Sequence, residues 1–240
     1  LSRTVAVMQP TYLPYLGYFD LIAQADVFVL LDDVQFERKS WQQRNRIGGA
    51  DGEVMLTVPV RKQPLQTLIR DIEIDEDKPW RADHLAVIEA AYRGRPAFDE
   101  GWAFANDALA NGPRESLCDL TSAMIEQAAR RLGLQSEIVR ASALDCGGRR
   151  SEHVLSLCRA LEGDAYVSPR GAADYMAADK VFEHAGFPVR YRSYVPVAYP
   201  QDGEAFTPYL AFIDAVMNLG WSGLADHLRM IAAQPDWRET

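Results

Sequence analysis

The chain has 240 residues, 48% hydrophobic and 25% charged. That allows one sizeable α/β domain or two small lobes and excludes a disordered or fibrous chain. A formal net charge of −9 argues against a nucleic-acid-binding surface, because phosphate recognition shows as basic excess. No apolar run approaches the length of a membrane span. The first residues read as a strand and lack the charged and small-residue regions of a secretory signal, so a cytoplasmic protein is expected.

Residues 5–8 form a short apolar run that breaks at Gln9-Pro10 into a loop dense in Tyr, Pro and Gly. An amphipathic segment opens at Gly17, and a second apolar run over 27–31 ends in Asp32 and Asp33. The pattern is strand, loop, helix, strand, with polar groups gathered at the C-terminal ends of both strands. In open α/β sheets small ligands bind at that edge. A basic run follows, with Arg38, Lys39, Arg44 and Arg46 around Trp41 and beside Asn45. The turn-like GGADGE separates it from MLTVPVR, a predicted strand, and IRDIEI predicts another. Thr57, Pro59 and Lys62 could bring polar groups near the first site, though proline marks an edge or irregular strand.

A helix is predicted over about 80–92, with Leu85, Ile88 and Ala91 on one face. The segment RGRPAFDEGW breaks it and a weakly marked helix comes next. SLCDLTSAMIEQAARRLGL predicts a strongly amphipathic helix with a stop at Gly133. SEIVRAS reads as a strand and RRSEHVLSLCRAL as a helix. In DAYVSPRGAADYM a short strand over 165–167 again breaks into a polar loop and helix. FPVRYRSY predicts a strand, VAYPQDGEAFTP a loop, and YLAFIDAVMNLG a terminal helix closed by Gly220. Alternating strands and helices predict a three-layer α/β fold, a largely parallel sheet with helices on both faces. It would form a single domain over 1–240, or one with a loosely separated C-terminal half from about residue 135.

Three cysteines, Cys118, Cys146 and Cys158, lack CxxC spacing and read as reduced thiols packed among apolar neighbours. His84, His153, His184 and His227 are scattered, so no metal cluster is expected. No cofactor fingerprint, Walker loop or nucleophile elbow occurs. Asp32 or Asp33 at a strand end could serve as a general base, or cap a loop and pair with the arginines. The basic run in an acidic chain suggests an anionic small molecule, since arginine forks match phosphate or carboxylate and an aromatic face stacks a ring. Ser168, Arg170 and Gly171 could bind an anion after the third strand, with Tyr175 facing the same cleft, although a turn and helix cap explain them equally well.

The blocks MQPTYLPYLGYF, LDDVQFERKSWQQRNRI, LTVPV, the spacing of Trp80, His84 and Tyr92, AYVSPRGAADYM, and YPQ followed by FTPYLAFIDAVMNLG resemble the WbqC-like family. They span nearly the whole chain in order. One departure is Ala211-Phe212, where a serine-containing SILD-like run is expected. The resemblance implies a role in surface polysaccharide and related amino-sugar biosynthesis. It favours Trp41, Arg44 and Asn45 as functional and raises His84 as a general acid or base.

The opening is also similar to the start of pantothenate synthetase and other nucleotidyltransferase-like, Rossmann-like enzymes. Pro14, Gly17 and Tyr18 stand at HxGH-like positions, and Val34-Gln35-Phe36 matches an NPxQF-like segment. Gly17 would let a phosphate approach the helix N-terminus. Both histidines are replaced, by Pro14 and Tyr18, so that likeness implies the fold more than the reaction.

The resulting expectation is a biosynthetic transferase forming an amide by acyl or aminoacyl transfer to an amino sugar or similar amine. Asp32, Asp33 or His84 would act as base. Gln9, Tyr12, Tyr15, Gly17, Tyr18, Gln35, Lys39, Trp41, Arg44, Asn45, Ser168, Arg170 and Tyr175 would bind an anionic partner: a nucleotide-sugar, an acyl-adenylate or a thioester. An ATP-dependent ligase or nucleotidyltransferase, and a non-catalytic binding or scaffold protein, are the alternatives.

Overall fold

Val5, Val7, Val27 and Val29 face one side of a sheet, while Ala6, Phe28 and Leu30 face the other, and both sets are buried. Strands apolar at consecutive positions suit a parallel sheet covered on both faces. A computed structural model describes residues 2–49, 52–203, 205–234 and, for the backbone, 237–239.

Strand β1 (Thr4–Met8) is followed by α1 (Leu16–Ala23) and β2 (Val27–Leu30), which lies parallel to β1. A hairpin outside the main sheet comes next, β3 (Arg44–Gly49) against β4 (Gly52–Thr57). Helices α2 (Trp80–Tyr92), α3 (Phe98–Asn106) and α4 (Leu117–Arg131) lead to β5 (Glu137–Arg140), parallel to β2. Ser116 caps α4, its Oγ accepting the Asp119 N–H at 3.1 Å.

The chain then crosses back through α5 (Ser151–Ala160) to β6 (Ala165–Pro169), which pairs with the other side of β1. Short helices α6 (Ala173–Asp179) and α7 (Val181–His184) precede β7 (Val189–Arg192), parallel to β6. Helix α8 (Phe212–Ala232) and the antiparallel strand β8 (Trp237–Glu239) complete the order β5-β2-β1-β6-β7-β8. Five parallel strands thus carry α5, α6 and α7 on one face and α1, α4 and α8 on the other. This is the expected three-layer architecture, and segments on both sides of residue 135 build its sheet.

Several local expectations are corrected. IRDIEI is no strand: Ile69–Asp71 make a 3-10 turn, and only isolated bridges join Val60 to Ile74 and Glu73 to Ser116. The basic run, given no element in the sequence, becomes strand β3 from Arg44. Gly220 does not close the last helix. It takes φ 68° and ψ 173° inside α8, and the helix resumes beyond this kink. The expected GGADGE turn falls partly on residues 50 and 51, and the loop over 197–208 includes residue 204, all outside the described residues. No described helix is long and apolar enough to cross a membrane.

Asp20 on α1 and Arg192 at the end of β7 are both buried and paired, Nε to Oδ2 at 2.8 Å and Nη2 to Oδ1 at 3.1 Å. The same guanidinium donates to the Ile231 and Gln234 carbonyls, so one ion pair ties α1, β7 and the end of α8. Asp20→Asn removes the acidic half of this buried ion pair and should cost about 3 kcal/mol, read as a lowered urea midpoint.

Candidate functional site

The sheet order reverses beside β1: β2 and β5 lie on one side, β6 and β7 on the other. Such a switch point opens a crevice at the C-terminal strand ends. Two adjoining hollows of about 280 and 270 Å³ lie there, sharing Met8, Tyr15 and Tyr209. One extends over Gly17 to Pro169, Arg170 and Tyr194. The other reaches Thr11, Pro14, Trp41, Asn45 and Arg46.

Tyr15, Tyr194 and Tyr209 form the wall between the hollows, their ring centroids 5.4 to 6.0 Å apart. Burial pushes the Tyr15 and Tyr194 hydroxyls above their ordinary pKa, so they act as neutral hydrogen-bonding groups. Tyr209 is half exposed and adopts φ 61°, a left-handed conformation that a bulky side chain rarely takes. Gly17 is required here for a reason other than phosphate approach. A Cβ at residue 17 would lie 2.3 Å from the Tyr15 ring and 2.7 Å from that of Tyr194. The aromatic wall fills the space above the α1 N-terminus that the likeness to nucleotidyltransferases left for a phosphate.

Trp41 is half exposed, and the Arg46 guanidinium carbon lies 6.0 Å from its ring centroid. Buried Asn45 sets this corner, its Nδ2 donating to the Tyr12 and Leu13 carbonyls at 3.2 and 2.7 Å. Leu13 is held there at φ 45°. Gln9 Oε1 accepts from Gln42 Nε2 at 2.8 Å, and the Tyr18 hydroxyl donates to the Gln9 carbonyl at 3.1 Å. The Thr11 hydroxyl and Arg46 Nε are buried without a protein partner. The residues lining both hollows include arginines but no carboxylate and no imidazole. An acidic protein therefore presents an aromatic cleft with arginines and no acid in its lining, two of them, Arg46 and Arg192, pairing with Glu53 and Asp20 behind it.

Of the residues singled out in the sequence, Tyr15, Gly17, Tyr18, Trp41, Asn45 and Arg170 meet in this cleft. Others are engaged elsewhere. Asp32 is fully buried and accepts the Ser142 N–H at 2.9 Å and its hydroxyl at 2.7 Å. Asp33 pairs with His153 Nε2 at 3.0 Å, and His153 Nδ1 lies 3.2 Å from the Gly147 carbonyl. Gln35 donates to the Leu65 carbonyl at 2.7 Å. Ser168 is buried against Pro169 and Met176. Lys39 is exposed in a left-handed turn at φ 60°, Tyr175 is exposed on α6, and Arg44 is half-buried on β3. The arginines do not pair with Asp32 or Asp33; Arg46 pairs with Glu53 at 2.8 Å. The three cysteines are free, and burial pushes the Cys118 and Cys158 thiols up to about 11 and about 12.

A sequence model of the WbqC-like protein family matches residues 9–226. The chain belongs to the WbqC-like protein family. It is similar to the uncharacterized protein Rv1507c of Mycobacterium tuberculosis, 28% identical over 229 residues that cover 95% of this chain and 98% of that one. No solved structure matches the chain.

Within this WbqC-like chain the structure also assembles residues not singled out in the sequence. Asp214 on α8 gathers Tyr92, Tyr199 and Gln201 around its carboxylate. The signal was present: FIDAVMNL places an aspartate in a segment apolar at every other position but Asn218, and such a carboxylate is buried only with partners. His153 gave no comparable signal, because its partner lies 120 positions away.

His84 also belongs to the interior. Its Nδ1 lies 2.9 Å from the Tyr12 hydroxyl, and its ring packs on Trp80. Burial holds the imidazole down to about 4 from its ordinary 6.5, against a hydrogen bond to the Thr57 backbone. Between these values the unfolded chain binds a proton that the folded chain refuses, so stability falls as pH drops from 6.5 towards 4. The loss reaches roughly 3 kcal/mol. Urea midpoints across this range should show a shallower slope in His84→Gln than in the parent chain.

Gly17→Ala should displace Tyr15 or Tyr194. The check is a change in tyrosine near-ultraviolet dichroism with the far-ultraviolet spectrum retained.

Proposed function

We propose that this protein is a biosynthetic transferase that joins an acyl or aminoacyl group to the amine of an amino sugar or similar acceptor, with the activated donor held in the switch-point cleft. One observation carries the reading: the cleft combines an exposed indole and four tyrosines with Arg46 and Arg170, and its lining has no acid. A donor with a stackable ring and a phosphate, such as a nucleotide-linked acyl group, suits that combination. Thr11 Oγ and Arg46 Nε offer hydrogen-bonding capacity that no protein group uses.

The chemistry asked of such a cleft is positioning and charge stabilisation more than proton abstraction. The acceptor amine, protonated when it binds, first loses one proton to solvent, and its nitrogen lone pair then attacks the activated carbonyl carbon. The C–N bond forms, the C–O or C–S bond to the leaving group breaks, and the nitrogen proton passes to solvent. The arginines stabilise the departing phosphate or thiolate. In this reading Asp32, Asp33 and His84 serve the fold, since their hydrogen-bonding groups are engaged within it. Membership of the WbqC-like family, whose resemblance implied amino-sugar biosynthesis, points the same way.

The absence of an acid or imidazole from the lining equally suits a second reading, a binding protein without turnover. Incubation with adenylate and thioester donors and amino-sugar acceptors, followed by mass spectrometry, separates the two. The transferase should yield an amide product without added ATP; a requirement for ATP would make it a ligase. Trp41→Ala and Arg46→Ala should each raise the donor KM about tenfold, the scale of one lost stacking or charged contact. Saturable donor binding with no product from any pair would leave the binding-protein reading.

A further inference from the structure

A second pocket of about 210 Å³ lies between the β3–β4 hairpin, α2 and the start of α8, with the Asp214 carboxylate in its wall. Asp214 is 2% exposed. Its Oδ1 accepts the Tyr92 hydroxyl at 2.7 Å, and its Oδ2 accepts the Tyr199 hydroxyl at 2.7 Å and Gln201 Nε2 at 2.9 Å. The donors are themselves fixed. The Tyr92 oxygen accepts the Gly48 N–H at 3.0 Å, and Gln201 exchanges hydrogen bonds with the Thr207 backbone at 3.1 and 2.7 Å.

Burial and the neighbouring carboxylate push both phenols above their ordinary pKa, so they donate without neutralising the charge. The cations nearby have other acids as partners: Arg95 pairs with Asp202, and Arg46 pairs with Glu53 through Nη1 while its Nε stays without a protein partner. Among the described residues no cation contacts Asp214. A buried carboxylate is costly without a counter-charge, and with about four acceptor positions it retains room for one more donor.

A clamp between β3, α2 and α8 would need only those hydrogen bonds and no cavity. Gly48 is where β3 comes closest to this carboxylate, since a Cβ there would lie 2.9 Å from Asp214 Oδ1, yet about 210 Å³ stays open beside it. The Arg46–Glu53 ion pair joins a residue of the aromatic cleft to a residue of this pocket, so the two sites are neighbours. A divalent metal would need several oxygen ligands, and no described group of three acidic, histidine or cysteine side chains is placed to hold one.

We propose that this pocket takes the primary ammonium of the acceptor, with Asp214 as its counter-ion. That the amine is the acceptor's rests on the transferase reading above; the pocket's preference for an amine rests on its own geometry. The test uses the intact protein, with glucosamine as probe and N-acetylglucosamine and glucose as neutral controls, followed by calorimetry and NMR titration. Glucosamine should bind saturably and at least tenfold more tightly than either control. Asp214→Asn should weaken it at least tenfold, while Trp41→Ala leaves it unchanged.

Should Asp214→Asn fail to fold, Ala91→Lys serves in its place. Ala91 is a half-buried residue in the pocket lining, and the change brings a competing ammonium without removing a hydrogen bond of the Asp214 network. It should abolish glucosamine binding. Equal binding of glucose and glucosamine, or undiminished glucosamine binding in Ala91→Lys, overturns the proposal. Amide formation with an unchanged acceptor KM in Ala91→Lys would sink the amine pocket and keep the transferase. Selective amine binding without any product would do the reverse.

Discussion

Three pieces of chain that belong to no common sheet meet at Ala211. Its N–H donates to the Arg46 carbonyl at 2.8 Å, the next N–H, of Phe212, donates to the Pro14 carbonyl at 2.8 Å, and a bridge joins Tyr15 to Ala211. A backbone segment buried between helices must satisfy its polar groups somewhere. Here they are satisfied by locking the aromatic loop after β1, the basic strand β3 and the entry to α8 together. Every wall discussed above hangs from that junction. Tyr15 and Tyr209 stand on one side of it, and Gly48, Leu210 and Asp214 on the other.

The junction also separates charge. The cleft at the switch point gathers arginines and aromatic rings with no carboxylate in its lining, whereas the neighbouring pocket holds a buried carboxylate that no described cation contacts. The Arg46–Glu53 pair stands between them. In a chain of net charge −9 this partition is local, with β3 running past both sites. Arg44, Arg46 and Gly48 lie at alternate positions of β3, which share a face, while buried Asn45 and Ile47 lie between them.

The sheet was legible because its strands are apolar at consecutive positions and are separated by helices of 3.6-residue period. Both signals are local. The aromatic cleft was legible in part, because Tyr15, Gly17 and Tyr18 follow the first strand, where a switch-point ligand would sit. The surroundings of the Asp32–Asp33 pair were not legible, for a physical reason. A carboxylate at a strand end can enter the cleft or turn back to tie loops, and the choice depends on Ser142 and His153, more than a hundred positions away. His84 was similar: its position in a matched block gave no sign that Tyr12 and the Thr57 backbone would enclose it. The Gly220 break was foreseen as an end because a left-handed residue usually ends a helix; the apolar face of the next turn, with Leu224 and Leu228 buried, carried it on.

By itself, then, the sequence determined the alternation of strands and helices, the two-faced burial of the sheet and the family to which the chain belongs, since each is written in neighbouring residues and ordered blocks. Tertiary structure alone decided which polar side chains line the cleft and the pocket and which bond within the fold. Gly17 makes room for two tyrosine rings instead of a phosphate, Asp33 finds His153, and Asp214 collects donors from α2 and the loop before α8. A carboxylate, a glycine or a histidine has no intrinsic direction along the chain. Its partners come from distant segments, and only their packing chooses between a bond within the fold and a place in the site.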